Sequence, residues 1–397
     1  MKILYVHGNY VTREIAEAMY RIGHDVEIYP KPEDSAVLKD EIVEEVADYV
    51  REKQITHIVS VHLIYNLAMA AYKTGIKYLV IVWDAPYYKL YSPFGRMDNC
   101  YFSVFDKVDY QRFVRDGIPH VYYQPLAIDR RSAQRSSVRK RNFLHDISFI
   151  GSLYDENFYD EYVRTMPEIF REFFDSIFEE AAFRWDGIDR ICGKTGREVL
   201  EYLKTKCPGF ELYNVWDVED IKYFEAYYLA RKLANIERIS ILNLLAQEYE
   251  VALYTTSQKD IRKLSGIQVY PSVHAREEAP AIFNSSRINL NITLHSIEGG
   301  TPQRVLDIME AGGFVLSTYC PETTELFEED KEIVMFKSPE ELIEKVGFYL
   351  SHEEERQRIA AAGHEKVLRC YTHDIKMKKF INWVEEGDEK RGDSESA

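Results

Sequence analysis

Cysteine is sparse in this chain, and what there is does not pair. Cys100, Cys192, Cys207, Cys320 and Cys370 are scattered, odd in number and never spaced C-x-x-C. That excludes a disulfide framework and a zinc site and points to a reducing, cytoplasmic setting. Long apolar runs are missing too. Nothing approaches the roughly 18 consecutive residues of a membrane span, and the apolar stretch Ile3–Val6 is too short for a signal-peptide core. Positive charge is in the minority, 50 Lys and Arg against 66 Asp and Glu, for a net charge of −16. Such a surface repels polyanions, so neither a nucleic-acid partner nor an anionic-membrane role is expected. Any phosphate must therefore be met by a local cluster of donors.

Common catalytic signatures are absent as well. There is no G-x-G-x-x-G, no H-E-x-x-H and no G-x-S-x-G. The nearest P-loop stretch, Gly187…Gly193-Lys194-Thr195, has one residue too many between its glycines and no apolar strand before it. The acidic triplet Asp217-Val218-Glu219 also lacks a leading strand and reads as a helix start. No bound metal and no cofactor are expected.

What remains is an α/β chain with 46% apolar residues, enough for a large core. At about 150 residues per domain, 397 residues predict two or three domains. The first 130 residues alternate two periodicities. Buried strands at Ile3–Val6, Asp25–Tyr29, His57–Val61, Tyr78–Trp83, Tyr101–Phe105 and Val121–Gln124 are separated by helical patterns such as Ile42, Val43, Val46 and Val50. This spacing predicts a parallel sheet with helices on both faces, a Rossmann-like layer. A second set opens with Asp146–Gly151 and continues with strands at 250–255, 267–270, 288–292, 314–317 and 333–336. The expected domains are 1–140 and 141–375, the latter carrying a helical insertion at about 154–234. A terminal helix at 376–386 is expected to pack back on the first domain, and 387–397 to form a disordered tail. Two such halves turn the C-terminal ends of their strands towards a cleft, where ligands of open parallel sheets bind.

The segment from Asn289 to Gly313 carries the most chemistry. It reads as a strand, a glycine-rich loop and a helix N-terminus. Gly299 and Gly300 let backbone N–H groups approach a ligand closely, with Thr301 beside them. The first helical turn attracts anions, and Arg304 adds a forked cation there. Asp307, one turn on, suits the two hydroxyls of a nucleotide ribose; the alternative is a solvated Arg304–Asp307 pair.

Those residues resemble a known family. Arg304-Val305-Leu306-Asp307, followed by Ala311-Gly312-Gly313-Phe314-Val315-Leu316-Ser317, is similar to the R-x-F-E-x-x-x-x-G-G-x-x-L-T block of spore-maturation CgeB-like glycosyltransferases. These combine DUF3880 with a glycosyl transferases group 1 domain. Further similar blocks are Val82-Trp83-Asp84-Ala85-Pro86, Gln124-Pro125-Leu126-Ala127, Ser148–Ser152, Glu325-Leu326-Phe327 and Glu355-Arg356…Ala362-Gly363. Asp307 stands where the family usually has Glu, and Gly299 replaces a partner glutamate, with Glu298 adjacent. The resemblance implies a GT-B fold, two Rossmann-like domains facing a cleft, and transfer of sugar from a nucleotide diphosphate sugar.

On that reading Gly151 and Ser152 approach a β-phosphate or form a plain turn. Tyr270, Ser272 and Val273 wall the base. Asp84 ends the most apolar strand and acts as general base on an acceptor hydroxyl, or caps the following turn. His7 and His62 also lie at strand ends and are structural or catalytic. The expected partners are a nucleotide sugar donor and an acceptor that is a glycan, a protein or a small molecule. The insertion shapes the acceptor side or an oligomer contact. The rival readings are a nucleotide-sugar epimerase and a noncatalytic nucleotide-sugar-binding protein.

Overall fold

A computed structural model describes residues 1–7, 13–30, 37–129, 143–163, 166–206 and 220–395. The chain forms two compact units, one from 1–129 with 370–397 and the other from most of the residues between. The first holds strands β1 (Lys2–His7), β2 (Asp25–Pro30), β3 (His57–Val61), β4 (Lys77–Val82), β5 (Cys100–Val104) and β6 (Val121–Tyr123). They form one parallel sheet in the order β2-β1-β3-β4-β5-β6. Both faces are buried, which is why these strands read as nearly continuous apolar runs. Leu4, Val6, Tyr78, Val80 and Val82 turn to one face, against the helices Asp40–Lys53, Tyr65–Thr74 and Lys107–Arg115. Gly75, at φ 69°, ends the second of these, and its N–H returns to the carbonyls of Ala71 and Tyr72.

Ile3, Tyr5, Val59, Leu79 and Ile81 point to the other face, where helix Arg13–Arg21 and the C-terminal helix His373–Glu395 cover them. Met377, Phe380, Ile381 and Val384 are the buried residues of the latter. Arg21 holds Asp374 at 2.6 and 3.0 Å. At the far end Glu385 accepts from Lys77 at 2.9 Å and lies 3.1 Å from Nε2 of His57. This helix runs on to Glu395 through the stretch expected as a tail from 387. Glu389, Lys390, Arg391 and Glu395 in that stretch favour helix, against Gly387, Gly392 and the Asp and Ser residues around them.

The second unit holds β7 (His145–Ile150), β8 (Val251–Thr255), β9 (Gln268–Pro271), β10 (Ser286–Asn291), β11 (Val315–Thr318) and β12 (Val334–Phe336). They form a second parallel sheet in the order β12-β11-β10-β7-β8-β9. Between β7 and β8 lie the expected helices, with a core of their own built on Phe174, Phe178, Leu203, Phe224 and Leu233. The insertion does not end in a break. Its last helix, Ala230–Leu245, follows a π-helical turn at Glu225–Leu229, and its later residues Ile241, Leu242 and Leu245 pack on the sheet. No Gly or Pro occurs from 220 to 245 to stop it. The insertion is anchored to the sheet layer by Trp185, whose backbone N–H donates to the Lys337 carbonyl at 3.1 Å and whose ring meets Phe336 edge-on.

Burial holds the pKa of His57 below its ordinary value, outweighing the attraction of Glu385. Glu385 is also lowered: burial acts against its charge, but Lys77 and His57 prevail. Both signs make acid destabilising. The unfolded chain takes up a proton on His57 below about pH 6.5, which the folded ring resists, and Glu385 loses its contribution at lower pH still. Melting temperature should fall between pH 7.5 and 5, and less so in His57→Gln. Equal slopes for the two proteins would remove His57 from the account.

Candidate functional site

The C-terminal ends of β7, β10 and β11 are knitted together by buried polar side chains. Asn289 donates to the carbonyls of Phe283 and Phe314 at 2.9 and 3.1 Å and accepts from Ser148 at 2.9 Å. Asn291 donates to Ser317 at 2.9 Å and to Thr293 at 3.0 Å. The loop Gly299–Pro302 continues from there into helix Gln303–Glu310. Thr301 is buried and shares a hydrogen bond of 2.9 Å with Thr323, which pins the loop. Pro302 caps the helix and offers no side-chain acceptor to its first turn.

Arg304 lies over the ring of Phe283 at 5.3 Å and 3.7 Å from the Asp307 carboxylate. Its Nη1 is buried and has no hydrogen-bond acceptor. A second arginine, which the sequence reading did not single out, stands near it. Arg238, on helix Ala230–Leu245, donates to the carbonyls of Ser152 at 2.6 Å and Ile292 at 2.7 Å, and so bridges the residues that follow β7 and β10. It packs against the rings of Tyr154 and Phe149 at 4.7 and 5.2 Å, and its Nε is buried without a partner. Burial lowers its pKa; Tyr154 and Glu237 oppose that, and the charge of Arg304 adds to the lowering. Two guanidinium groups thus share one neighbourhood, each with a buried donor unmet. Such donors are costly unless an anion arrives.

Asp307 is more committed than its spacing implied. Arg276 contacts it at 3.4 Å and Glu310 at 3.2 Å, while Gln303 donates to it at 2.9 Å. A ribose hydroxyl must compete with that network. The Ser152 hydroxyl accepts from the Tyr154 N–H at 2.8 Å and lies 3.5 Å from Ser257, and the Gly151 N–H is taken by the Tyr254 carbonyl. The Tyr270 ring stacks on Tyr254 at 4.8 Å and its hydroxyl donates to Gln268, so this ring belongs to the outer strands. Ser272 is exposed and Val273 half-buried just beyond β9. In the Gly193-Lys194-Thr195 stretch, the N–H groups of Gly193 and Thr195 donate to Glu225 at 2.9 and 2.8 Å. A carboxylate of the protein already fills that nest. Asp217 and Glu219 lie outside the described residues.

In the first unit, Asp84 and His62 come together at the ends of β4 and β3. Asp84 Oδ2 is 3.4 Å from His62 Nε2, and the carboxylate is largely exposed. His62 sits at φ 64°, a left-handed conformation rare outside glycine. Tyr78 and Tyr87 hold it there: their hydroxyls accept from the N–H groups of Ile64 and Leu63 at 3.1 and 2.8 Å, and the His62 ring stacks on Tyr87. His7 ends β1. Among the described residues, Asp189, Cys192 and Glu298 are the one group of carboxylate and thiol donors gathered within 4.8 Å, and both Asp189 and Cys192 are exposed. No helix among the described residues is long and apolar enough to cross a membrane.

Residues 242–382 match the family described as glycosyl transferase-like. A search of curated proteins finds no match. Solved structures do match over nearly the whole chain. A glycosyltransferase from Rickettsia africae is similar at 11% identity and a TM-score of 0.58, covering 97% of this chain and 98% of its own. Sucrose-phosphate synthase from Thermosynechococcus elongatus is similar at 9% identity and 0.55, covering 98% and 100%. The Anabaena protein HepE, solved with UDP and glucose, is similar at 10% identity and 0.52, covering 98% and 99%. The fold is therefore that of the GT-B glycosyltransferases, and the glycosyl transferase-like match covers the later part of the second unit and the start of the C-terminal helix of the first.

Replacing Arg304 by Ala should weaken binding of nucleoside diphosphates about ten- to hundredfold, the worth of a charge-assisted contact. Binding of the bare nucleoside should barely change. Titration of both ligands checks this; parallel losses would move the diphosphate elsewhere.

Proposed function

We propose that this protein transfers a sugar from a nucleotide diphosphate sugar to an acceptor hydroxyl, without a bound metal. The observation that carries this is the pair Arg304 and Arg238, one half-buried and one buried cation, each with a buried donor that no hydrogen bond meets, beside the Gly299–Thr301 loop. As the bond from the anomeric carbon to the β-phosphate breaks, negative charge builds on the leaving diphosphate. Two guanidinium groups and the first turn of helix Gln303–Glu310 are fixed donors for that charge, a preorganised electrostatic role. UDP-sugars are the first donors to test, since HepE was solved with UDP and glucose. The reading keeps the likeness to CgeB-like enzymes and a cytoplasmic setting, with Cys100, Cys192, Cys320 and Cys370 all unpaired.

On the acceptor side the pair Asp84 and His62 is the proton-accepting group of the first unit. The exposure of Asp84 and its contact with His62 Nε2 support this: the His62 Nδ1 is buried, so the carboxylate is the member that meets the acceptor hydroxyl and the imidazole stands behind it. His7 remains a further candidate at the end of β1.

Incubation with UDP-, GDP- and TDP-sugars in EDTA should release the nucleoside diphosphate by transfer or slow hydrolysis. An isomerised sugar would identify an epimerase, and binding without product a noncatalytic binder. Turnover abolished by EDTA and restored by Mn²⁺ would overturn the metal-free reading. In the active enzyme, Asp84→Asn should cut kcat about 10²–10⁴-fold and leave donor affinity within a few-fold. A normal kcat would clear Asp84 of any part in proton transfer.

A further inference from the structure

The connection between β10 and the glycine loop carries a histidine that neither the sequence motifs nor the reading above employs. His295 lies four residues before Gly299, within the turn closed by the Ile297 N–H to the Leu294 carbonyl at 2.9 Å. Its Nε2 faces both carboxylate oxygens of Glu237, at 2.9 and 3.1 Å. Glu237 is fully buried and also accepts from the Phe183 N–H at 2.9 Å. The imidazole is therefore clamped at one nitrogen by a carboxylate that has no access to water. Its Nδ1 has no partner among the described residues. The side chain is 15% exposed, so the ring is sheltered but reachable.

The neighbours of this pair are those of the diphosphate cradle. Glu237 precedes Arg238 in helix Ala230–Leu245, and Arg238 bonds the carbonyl of Ile292, three residues before His295. A carboxylate buried beside an imidazole costs the fold unless the ring is protonated or donates to it. Oriented histidines of this kind, with one nitrogen fixed and the other open, are how proteins present a directed donor or base.

We propose that His295 donates from Nδ1 to the diphosphate of the bound donor, with Glu237 as its positioning residue. This rests on the nucleotide-sugar reading above. In transfer, the bond from the anomeric carbon to the β-phosphate oxygen breaks and its electron pair stays on that oxygen. The acceptor oxygen bonds to the same carbon and loses its proton to the base of the first unit. His295 keeps its own proton throughout and supplies a charged hydrogen bond that tightens as the phosphate gains charge.

The electrostatics agree. Burial alone would strip the proton from the ring, but the charge and hydrogen bond of Glu237 outweigh it and raise the pKa of His295. Asp189 acts in the same direction and Arg190 against it; both belong to the insertion segment that packs on this turn. The insertion thus contributes charge to the donor side of the site, a role its sequence did not disclose.

The test uses the full chain and the member of UDP, GDP, TDP and ADP that raises its melting temperature most, with the matching nucleoside as control. Affinities of wild type and His295→Gln are measured by calorimetric titration from pH 6 to 8.5. At pH 6 the variant should bind the diphosphate about ten- to hundredfold more weakly and the nucleoside equally. The gap should close as pH rises and the wild-type ring loses its proton. The terminal phosphate titrates in this range in both proteins, so the difference between them is the readout. Glu237→Gln, which keeps the ring and the acceptor for Phe183, should close the gap at lower pH. No gap, or a gap constant at every pH, would overturn the assignment of His295. A wild type that binds none of the four diphosphates would overturn the donor reading itself, and this inference with it.

Discussion

Much of the second unit is arranged around one difficult object, the buried guanidinium of Arg238. A cation removed from water loses a large solvation energy, and only good partners restore it. Here the partners are the carbonyls of Ser152 and Ile292, with the rings of Phe149 and Tyr154 packed against it. Those carbonyls follow β7 and β10, the two central strands, so one side chain ties the heart of the sheet to the helix above it. The remaining Nε is left unmet. A structure that tolerates this stores a demand for an anion at the place where the glycine loop leaves the sheet. Arg304 repeats the demand from the other side of the loop.

The same logic explains the polar residues around the loop. Asn289, Asn291, Ser148, Ser317 and Thr318 are buried, and their hydrogen bonds run to one another and to neighbouring backbone. Satisfied networks of this kind rigidify and specify a unique arrangement. They hold the loop and the first turn of helix Gln303–Glu310 before any ligand arrives, which is what electrostatic stabilisation of a leaving group requires. The Arg276, Asp307 and Glu310 cluster continues that network into the helix, so Asp307 acts as much on its own neighbours as on any ligand.

The first unit depends on a contact between chain ends. Helix His373–Glu395 lies far along the chain from β1 and β4, yet Phe380 and Ile381 bury against their side chains, and Lys77 and His57 grip Glu385 at its end. At the opposite rim, Tyr78 and Tyr87 hold His62 in a left-handed conformation beside Asp84. Hydroxyls buried to serve a backbone turn in this way are a cost to stability that a purely structural turn does not need.

Periodicity alone made most strands and helices legible. Residues such as Leu4, Val59 and Val80 alternate between two apolar faces, and a parallel sheet covered on both sides leaves that pattern in any order of residues. The glycine loop and Arg304 were legible for a similar reason, because Gly299, Gly300 and the helix that follows are neighbours in sequence. Arg238 and Glu237 were not. They sit among ordinary helical residues, some sixty positions from the loop they serve, and nothing local marks a guanidinium that will bridge two strand ends. His295 carried no sequence signal of its own, because the buried Glu237 beside it lies far away in the chain, and Asp84 and His62 become a pair only where β3 and β4 lie side by side. The sequence by itself determined which segments bury their side chains, since hydrophobic pattern is a local property of the chain. Only the tertiary structure decided which charges meet, since burial and distance set the energy of a charge and neither is written along the backbone.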